Sequence, residues 1–190
     1  EIKDATTWDL LKTAAQRANP VFQALMAAVA EAKVIHIDDT HGRILSAQKA
    51  ARAERAALLG EKRKVRVGVN TTNVTALTEH GRVILFQTGL SHAGNVCEKI
   101  LSKRSADTPV TVMSDGLSHN AALGKAKSKA LLANCNAHAR RKFYELKDFY
   151  PERTKRVLQI YAALAQHEKH CRKEKLSPDA RLQYHQTHSQ

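Results

Sequence analysis

The chain has 190 residues, which at roughly 100–200 residues per domain is one domain, or one domain with an appendage. Apolar residues make up 43% of it, enough for a packed core and too many for a disordered tail. Lys and Arg number 31 against 18 Asp and Glu, a net charge of +13 with ten neutral His besides, and a globular domain this basic points to a polyanion as its partner.

Residues 4–33 have helical spacing: Thr6 or Thr7 can cap, and Trp8, Leu11 and Ala15 recur on one face. Asn19-Pro20 interrupts the pattern and predicts a second helix starting there, with Val21, Leu25, Ala28 and Val29 as its stripe. Lys33 to Thr40 is a β-branched run that ends in two acids, Asp38 and Asp39, and predicts a buried strand presenting acid at its C-terminal end. Residues 46–59 are Ala-rich and suit a short helix or an excursion between strands, ending at Gly60, with Lys49, Arg52 and Arg55 as a solvated face. Lys64 to Thr75, with Val65, Val67 and Val69 alternating, and Arg82 to Thr88 predict two further strands joined by a hairpin turn at Glu79-His80-Gly81.

A helix is expected over 93–103 with Val96, Ile100 and Leu101 inward, then a strand at Val110 to Met113 followed by Asp115. Residues 117–129 are polar and helical in pattern, and 131–135 is a last short strand. Helices follow from Ala137 to about Phe149 and from Pro151 to about Lys175, and a further one is capped by Ser177 with Pro178 in its first turn. This order, an antiparallel three-strand meander and then strands joined through helices, is that of an RNase H-like α/β domain: a mixed sheet with helices on both faces. It divides as a helical lead-in over 1–32, the first part of the core over 33–150, and the start of a helical insertion over 151–190.

Three Cys (Cys97, Cys135, Cys171) are too few and odd for a disulfide framework and fit a reducing cytoplasm. No run approaches the roughly 18–20 apolar residues of a membrane span, and EIKDATTW is no signal peptide, so no membrane partner is expected. The first residue is not Met, which reads as an internal piece of a longer protein.

Two strands thus lead into Asp, 77 residues apart (115 − 38). If the strands are neighbours, the two carboxylates repel and need a cation. Hard oxygen donors select Mg²⁺ or Mn²⁺, and two such ions, roughly 3.5–4 Å apart, hold the attacking and leaving oxygens of a phosphoryl transfer. Taken singly, each Asp reads as a loop initiator or helix cap. Asp39 points to the opposite face of an extended strand and is the weaker candidate.

The most distinctive stretch is Asn134-Cys135-Asn136-Ala137-His138-Ala139-Arg140-Arg141-Lys142-Phe143. It resembles the C-x-A-H-A-R-R-x-F motif of bacterial insertion-sequence transposases, in particular the insertion sequence 66 family. HIDDT at 36–40, RVILFQTGLSHAGN at 82–95, MSDGLSHN at 113–120 and LSPDARLQYHQTHS at 176–189 resemble the same family in the same order. Asn136 and His41 depart from it, standing where many members carry Trp and Pro. The resemblance implies a DDE transposase with an RNase H-like core, which cleaves and transfers DNA strands using two Mg²⁺ or Mn²⁺ ions. By that resemblance Asp38 is the first catalytic acid and metal ligand and Asp115 the second. Asp39, Cys135 and His138 are accessory, and a third acid, a Glu, lies beyond Gln190, leaving this piece inactive alone.

The implied partners are DNA, at element ends and target, and further copies in an oligomeric complex, in the cytoplasm on the nucleoid. Basic residues are spread along the chain at Lys62-Arg63-Lys64, Lys99 to Arg104, Lys125 to Lys129, Arg140 to Lys142 and Arg153 to Arg156, which suits phosphate contacts. Arg140, Arg141 and Lys142 follow the acid-bearing edge and are the best candidates for contacts near the site. Two rivals remain at this point. Cys135, His138, His167, His170 and Cys171 are ligand types for structural zinc, and a noncatalytic nucleic-acid-binding module of the same fold accounts for the missing third acid.

Overall fold

The structure, a computed structural model, describes residues 3–42, 49, 68–116 and 130–189. The expected helices over 46–59 and 117–129, the strand residues 64–67 and the basic runs at 62–64 and 125–129 lie outside the described residues. The chain divides into two compact units, Glu1–Asn134 and Cys135–Gln190.

In the first unit α1 (Asp4–Ala30) is followed by β1 (Val34–Gly42), β2 (Val69–Thr78), β3 (Gly81–Gly89), α2 (Ala93–Leu101), β4 (Val110–Ser114) and β5 (Ala130–Asn134). Among the described residues the strands form one mixed sheet in the order β3-β2-β1-β4-β5. β1, β2 and β3 are antiparallel neighbours, whereas β4 runs parallel to β1 and β5 parallel to β4. The hairpin between β2 and β3 has two loop residues, Glu79 and His80, and Gly81 supplies a φ of +113° that a side chain would resist. The Thr78 hydroxyl donates to the Gly81 carbonyl across the turn, 2.9 Å away.

The core lies between the sheet and the two helices. Met26, Val29 and Ala30 of α1 and Val96, Cys97 and Ile100 of α2 pack with Ile35, Ile37, Val74, Ala76, Leu85, Val110 and Val112. Full burial of a side chain such as Ile35 contributes about 1.5–3 kcal/mol. Burial pushes the Cys97 thiol up to about 12, so it behaves as a small apolar group.

Two expectations change here. The predicted break at Asn19-Pro20 is absent: α1 runs unbroken with Pro20 inside it. Proline removes its own N–H from the ladder, and the Gln16 carbonyl thereby left without a helical donor belongs to an exposed turn. In β2 the core-facing residues are Asn70, Thr72, Val74 and Ala76, so the inward parity is even where the valine alternation predicts odd; Val69 is buried as well. Polar residues occupy inward positions because they have partners there, described below.

The end of α1 is tied to the loop before β4. Arg104 donates from Nη1 to the carbonyls of Ala30 and Ala32 and from Nε and Nη2 to that of Thr108. Glu31 accepts the Ser105 backbone N–H at 2.6 Å, its hydroxyl and the Ala106 N–H, and these bonds, the Ser105 backbone first, hold its carboxyl below the usual range. The Thr111 N–H then reaches the Lys33 carbonyl at 2.9 Å, starting β1 beside β4.

The second unit is helical: α3 (Asn136–Glu145), α4 (Pro151–Lys173) and α5 (Pro178–His188). α4 ends in a Schellman turn, with the Leu176 N–H on the Cys171 carbonyl, the Lys175 N–H on that of Arg172, and Lys175 itself at φ +50°. Ser177 then caps α5 through its hydroxyl, which accepts the Ala180 N–H. Among the described residues no helix is long and apolar enough to cross a membrane.

Glu168 of α4 clasps α5. It accepts from Arg172 at 2.8 Å, from Arg181, and from His185 at 3.3 Å, and these partners, Arg172 foremost, bring its carboxyl down to about 2. A depressed carboxyl contributes stability that is full above its ordinary value of 4.5 and lost as pH falls through about 2. Thermal melts followed by circular dichroism between those limits should therefore show wild type losing about 1 kcal/mol relative to Glu168→Gln, a value reduced by solvent screening.

Candidate active site

β1 carries two adjacent acids, and the pleat sends them to opposite faces. Ile35, Ile37 and Asp39 turn to the helix-covered side, where the two isoleucines are buried and Asp39 is half-buried. His36 and Asp38 turn to the other side and are exposed. The β1–β4 ladder pairs Val34, Ile35 and His36 with Thr111, Val112 and Met113. Carried on by two residues, this register sets Asp38 level with Asp115, the first residue after β4. The alternation of β4, with Val110, Val112 and Ser114 buried, puts Asp115 on the Asp38 side when carried one residue further.

One detail departs from expectation. Asp38 is not at the end of its strand, because β1 continues to Gly42, paired with β2 as far as Gly42–Val69. Only the β4 flank stops, at His36. The two acids therefore follow the last β1–β4 pair, His36 with Met113, by two residues each, Asp38 within β1 and Asp115 just after β4. The Asp38 carboxylate accepts the Asp39 N–H at 3.0 Å, and the Ser114 hydroxyl donates to the Asp115 carbonyl at 2.9 Å.

Asp39 has a different set of partners. Its carboxylate accepts the Thr72 hydroxyl at 2.6 Å and the Ala93 N–H at 2.8 Å, both from buried residues. It thus caps α2 from across the core, at the end where the helix dipole favours negative charge. His92, the N-cap residue of α2, makes no side-chain cap of its own. Its Nδ1 stands 3.9 Å from Asp39 and 3.3 Å from the amide nitrogen of Asn70. Asn70, buried on β2, also gives that amide to the Ser91 carbonyl, and its oxygen accepts from His41 Nδ1 at 2.6 Å. These bonds require the proton on Nδ1 in His41 and a bare Nδ1 in His92. The residue pattern pointed to none of Asn70, Thr72 or His92 as partners; the available signal was polarity at inward positions of a strand.

The remaining candidates belong to the second unit. Cys135 is the residue before α3, half-buried, and its carbonyl accepts the Ala139 N–H. His138, one turn on, is half-buried. Arg140, Arg141 and Lys142 are all exposed; Arg141 and Lys142 pair with Glu145 at 3.0 and 3.7 Å, and Arg140 lies over the Tyr144 ring. The candidates of the zinc reading are not gathered into one cluster among the described residues. Cys171 is fully buried, His167 bonds Ser189 at 2.9 Å, and His170 lies against Tyr184. Among the described residues no group of three or more His, Cys, Asp or Glu is placed to hold a metal ion.

Asp39 and Asp38 should part in stability experiments. Asp39→Ala strands two buried donors and should cost about 2–4 kcal/mol in urea unfolding, with Asp39→Asn costing less because one acceptor oxygen remains. Asp38→Ala, at an exposed position, should change the midpoint by less than about 0.5 kcal/mol.

Comparison with known proteins was made for the whole chain. The family model described as Transposase IS66 family matches residues 1–190. No curated protein and no solved structure matches.

Proposed function

The chain belongs to the transposase IS66 family, and from that premise we propose that it carries an RNase H-like catalytic core for metal-dependent DNA strand cleavage and strand transfer. The strand order β3-β2-β1-β4-β5, antiparallel for three strands and parallel thereafter, supports the fold assignment. The lead-in would be 1–32, the first part of the core 33–150, and 151–190 the start of a helical insertion.

One observation supports the site assignment: the parallel β1–β4 ladder, whose last pair, His36 with Met113, precedes Asp38 and Asp115 by two residues each. The donor chemistry fits Mg²⁺ or Mn²⁺, since these ions take one or two carboxylates and leave positions for substrate phosphate oxygens. Asp38 and Asp115 are the residues that would hold them. The bound ions supply the positive charge that phosphoryl transfer requires. Two carboxylates are an incomplete set for two ions, and a third acid elsewhere in the transposase completes it. Asp39 serves the site indirectly, by fixing β1 against α2. Arg140, Arg141 and Lys142 contact DNA phosphates, with Cys135 and His138 accessory at the start of the same helix. The place of work is nucleoid DNA in the cytoplasm.

Asp38→Asn and Asp115→Asn in the intact transposase should each lower cleavage of element-end DNA by about a hundred- to a thousandfold or more, while DNA binding measured by gel shift stays unchanged. Cleavage retained in Asp115→Asn would refute the assignment and favour a noncatalytic DNA-binding module.

The binding itself should be electrostatic. If about four phosphates are neutralised, log affinity against log salt for duplex DNA should have a slope near −3.6. Neutralising Arg140, Arg141 and Lys142 together should flatten that slope, and an unchanged slope would remove them from the interface.

A further inference from the structure

The chain holds nine aromatic residues (four Phe, four Tyr, one Trp), and four of them fall within eight positions: Phe143, Tyr144, Phe149 and Tyr150. All four are exposed, Phe149 at 77% and Tyr150 at 55%. They lie at the corner between α3 and α4, inside the second unit. The same corner is basic, with seven Lys and Arg against three Asp and Glu over residues 140–156. Rings and cations are interleaved there. Lys147 Nζ lies 4.3 Å from the centroid of the Tyr144 ring and donates to its hydroxyl at 3.2 Å, and the Arg140 guanidinium carbon stands 5.9 Å from the same centroid. Beside them Phe143, Leu146 and Tyr150 face Arg153, Thr154 and Val157 of α4 across an open, mostly apolar cavity of about 210 Å³. The turn that presents the rings is well tied. The Phe149 and Tyr150 N–H groups both reach the Leu146 carbonyl, at 3.1 and 3.0 Å, and the buried Thr154 gives its hydroxyl to the Tyr150 carbonyl at 2.7 Å.

We propose that this corner holds unpaired bases of single-stranded DNA, the rings stacking on the bases while Arg140, Lys147 and Arg153 take the flanking phosphates. The proposal rests on the reading of Arg140, Arg141 and Lys142 as phosphate contacts and extends it from the backbone to the bases. Phosphate binding alone calls for cations and gives four exposed rings nothing to do. A duplex keeps its base faces stacked inside, out of reach of the rings. A strand with unpaired bases offers an anionic backbone and flat apolar faces together, and the corner presents the complement of both. Size agrees: the cavity is below the roughly 300–1,000 Å³ of drug-sized pockets, which suits one planar ring system against Phe143 and Tyr150. An acidic peptide with aliphatic side chains would answer the charge, but an aliphatic groove would serve it equally, whereas rings flanked by cations are what stacking uses. Strand cleavage, as proposed above, frees strand ends, so unpaired bases arise in the reaction itself.

The test is fluorescence polarisation of the 190-residue chain with three labelled probes on the order of 16 nucleotides long: a mixed-sequence single strand, an abasic strand of equal length, and a duplex. The normal strand should bind about fivefold or more tighter than the abasic one. Phe149→Leu and Tyr150→Leu keep an apolar side chain and lose the ring. Each should weaken the normal strand about fivefold or more, with abasic and duplex affinities and the salt slope unchanged. Phe149→Tyr and Tyr150→Phe keep the ring and should bind like wild type. Both positions are exposed, and Tyr150 makes no side-chain cap to α4, so circular dichroism should show every variant folded. A strand carrying 5-iodouracil should photocrosslink within residues 143–150, read by mass spectrometry. Equal binding of normal and abasic strands, with duplex binding retained, would overturn the stacking and leave the phosphate contacts standing; failure to bind any probe would remove those contacts as well. Loss of duplex binding in the Leu variants to the same degree as loss of the strand would overturn the proposal, as would crosslinks mapping elsewhere. Tighter binding of a peptide of alternating glutamate and leucine than of the strand would assign the corner to an acidic protein instead.

Discussion

The parallel contact between β1 and β4 is short, three residue pairs, yet the first unit depends on it. Among the described residues it is the one seam that joins the antiparallel β3-β2-β1 half of the sheet to the parallel β4-β5 half. The pairing begins where Arg104 and Glu31 lock the end of α1 to the loop before β4. Slipping a strand by one residue exchanges its two faces. At this seam that would bury Asp38 and expose Ile35 and Ile37. The same register that builds the core therefore fixes where β1 and β4 stand just before Asp38 and Asp115.

Two neighbouring carboxylates on one strand have been given opposite surroundings. Asp39 is held by donors that a folded chain must satisfy, and its charge answers the N-terminus of α2. Asp38 faces the side of the sheet that the core does not use. An anion placed on the covered side would be costly without those donors. On the open side the Asp38 carboxylate is exposed to solvent, which meets that cost without a built set of donors.

Much of this was readable from residue pattern. β3, α2, β4, β5 and the three C-terminal helices lie within a few residues of their expected ranges, because their apolar runs and periodicity are clear and all but β5 and α3 have a Gly, Pro or Ser at a boundary. The two candidate acids were legible for a related reason: an apolar β-branched run that breaks into Asp is conspicuous. The inward face of β2 was not. Asn70 and Thr72 look outward-facing by polarity, and only their long-range partners His41, Ser91 and Asp39 make their burial possible. The continuity of α1 through Pro20 was hidden likewise, since proline forbids one hydrogen bond, not a helix. Which strands flank β1 was a question of strand pairing, which depends on residues far apart in the chain.

The position of Pro20 has a mechanical consequence. It stands between the exposed stretch of α1 and the part that Phe22, Met26 and Val29 anchor. Its missing N–H leaves the Gln16 carbonyl without a helical donor, so the rod is least stiff where it leaves the body. A load on the projecting end would bend this joint before it could shear the sheet. The acids would thus be insulated from whatever pulls on the arm, like a tool head mounted behind a compliant wrist.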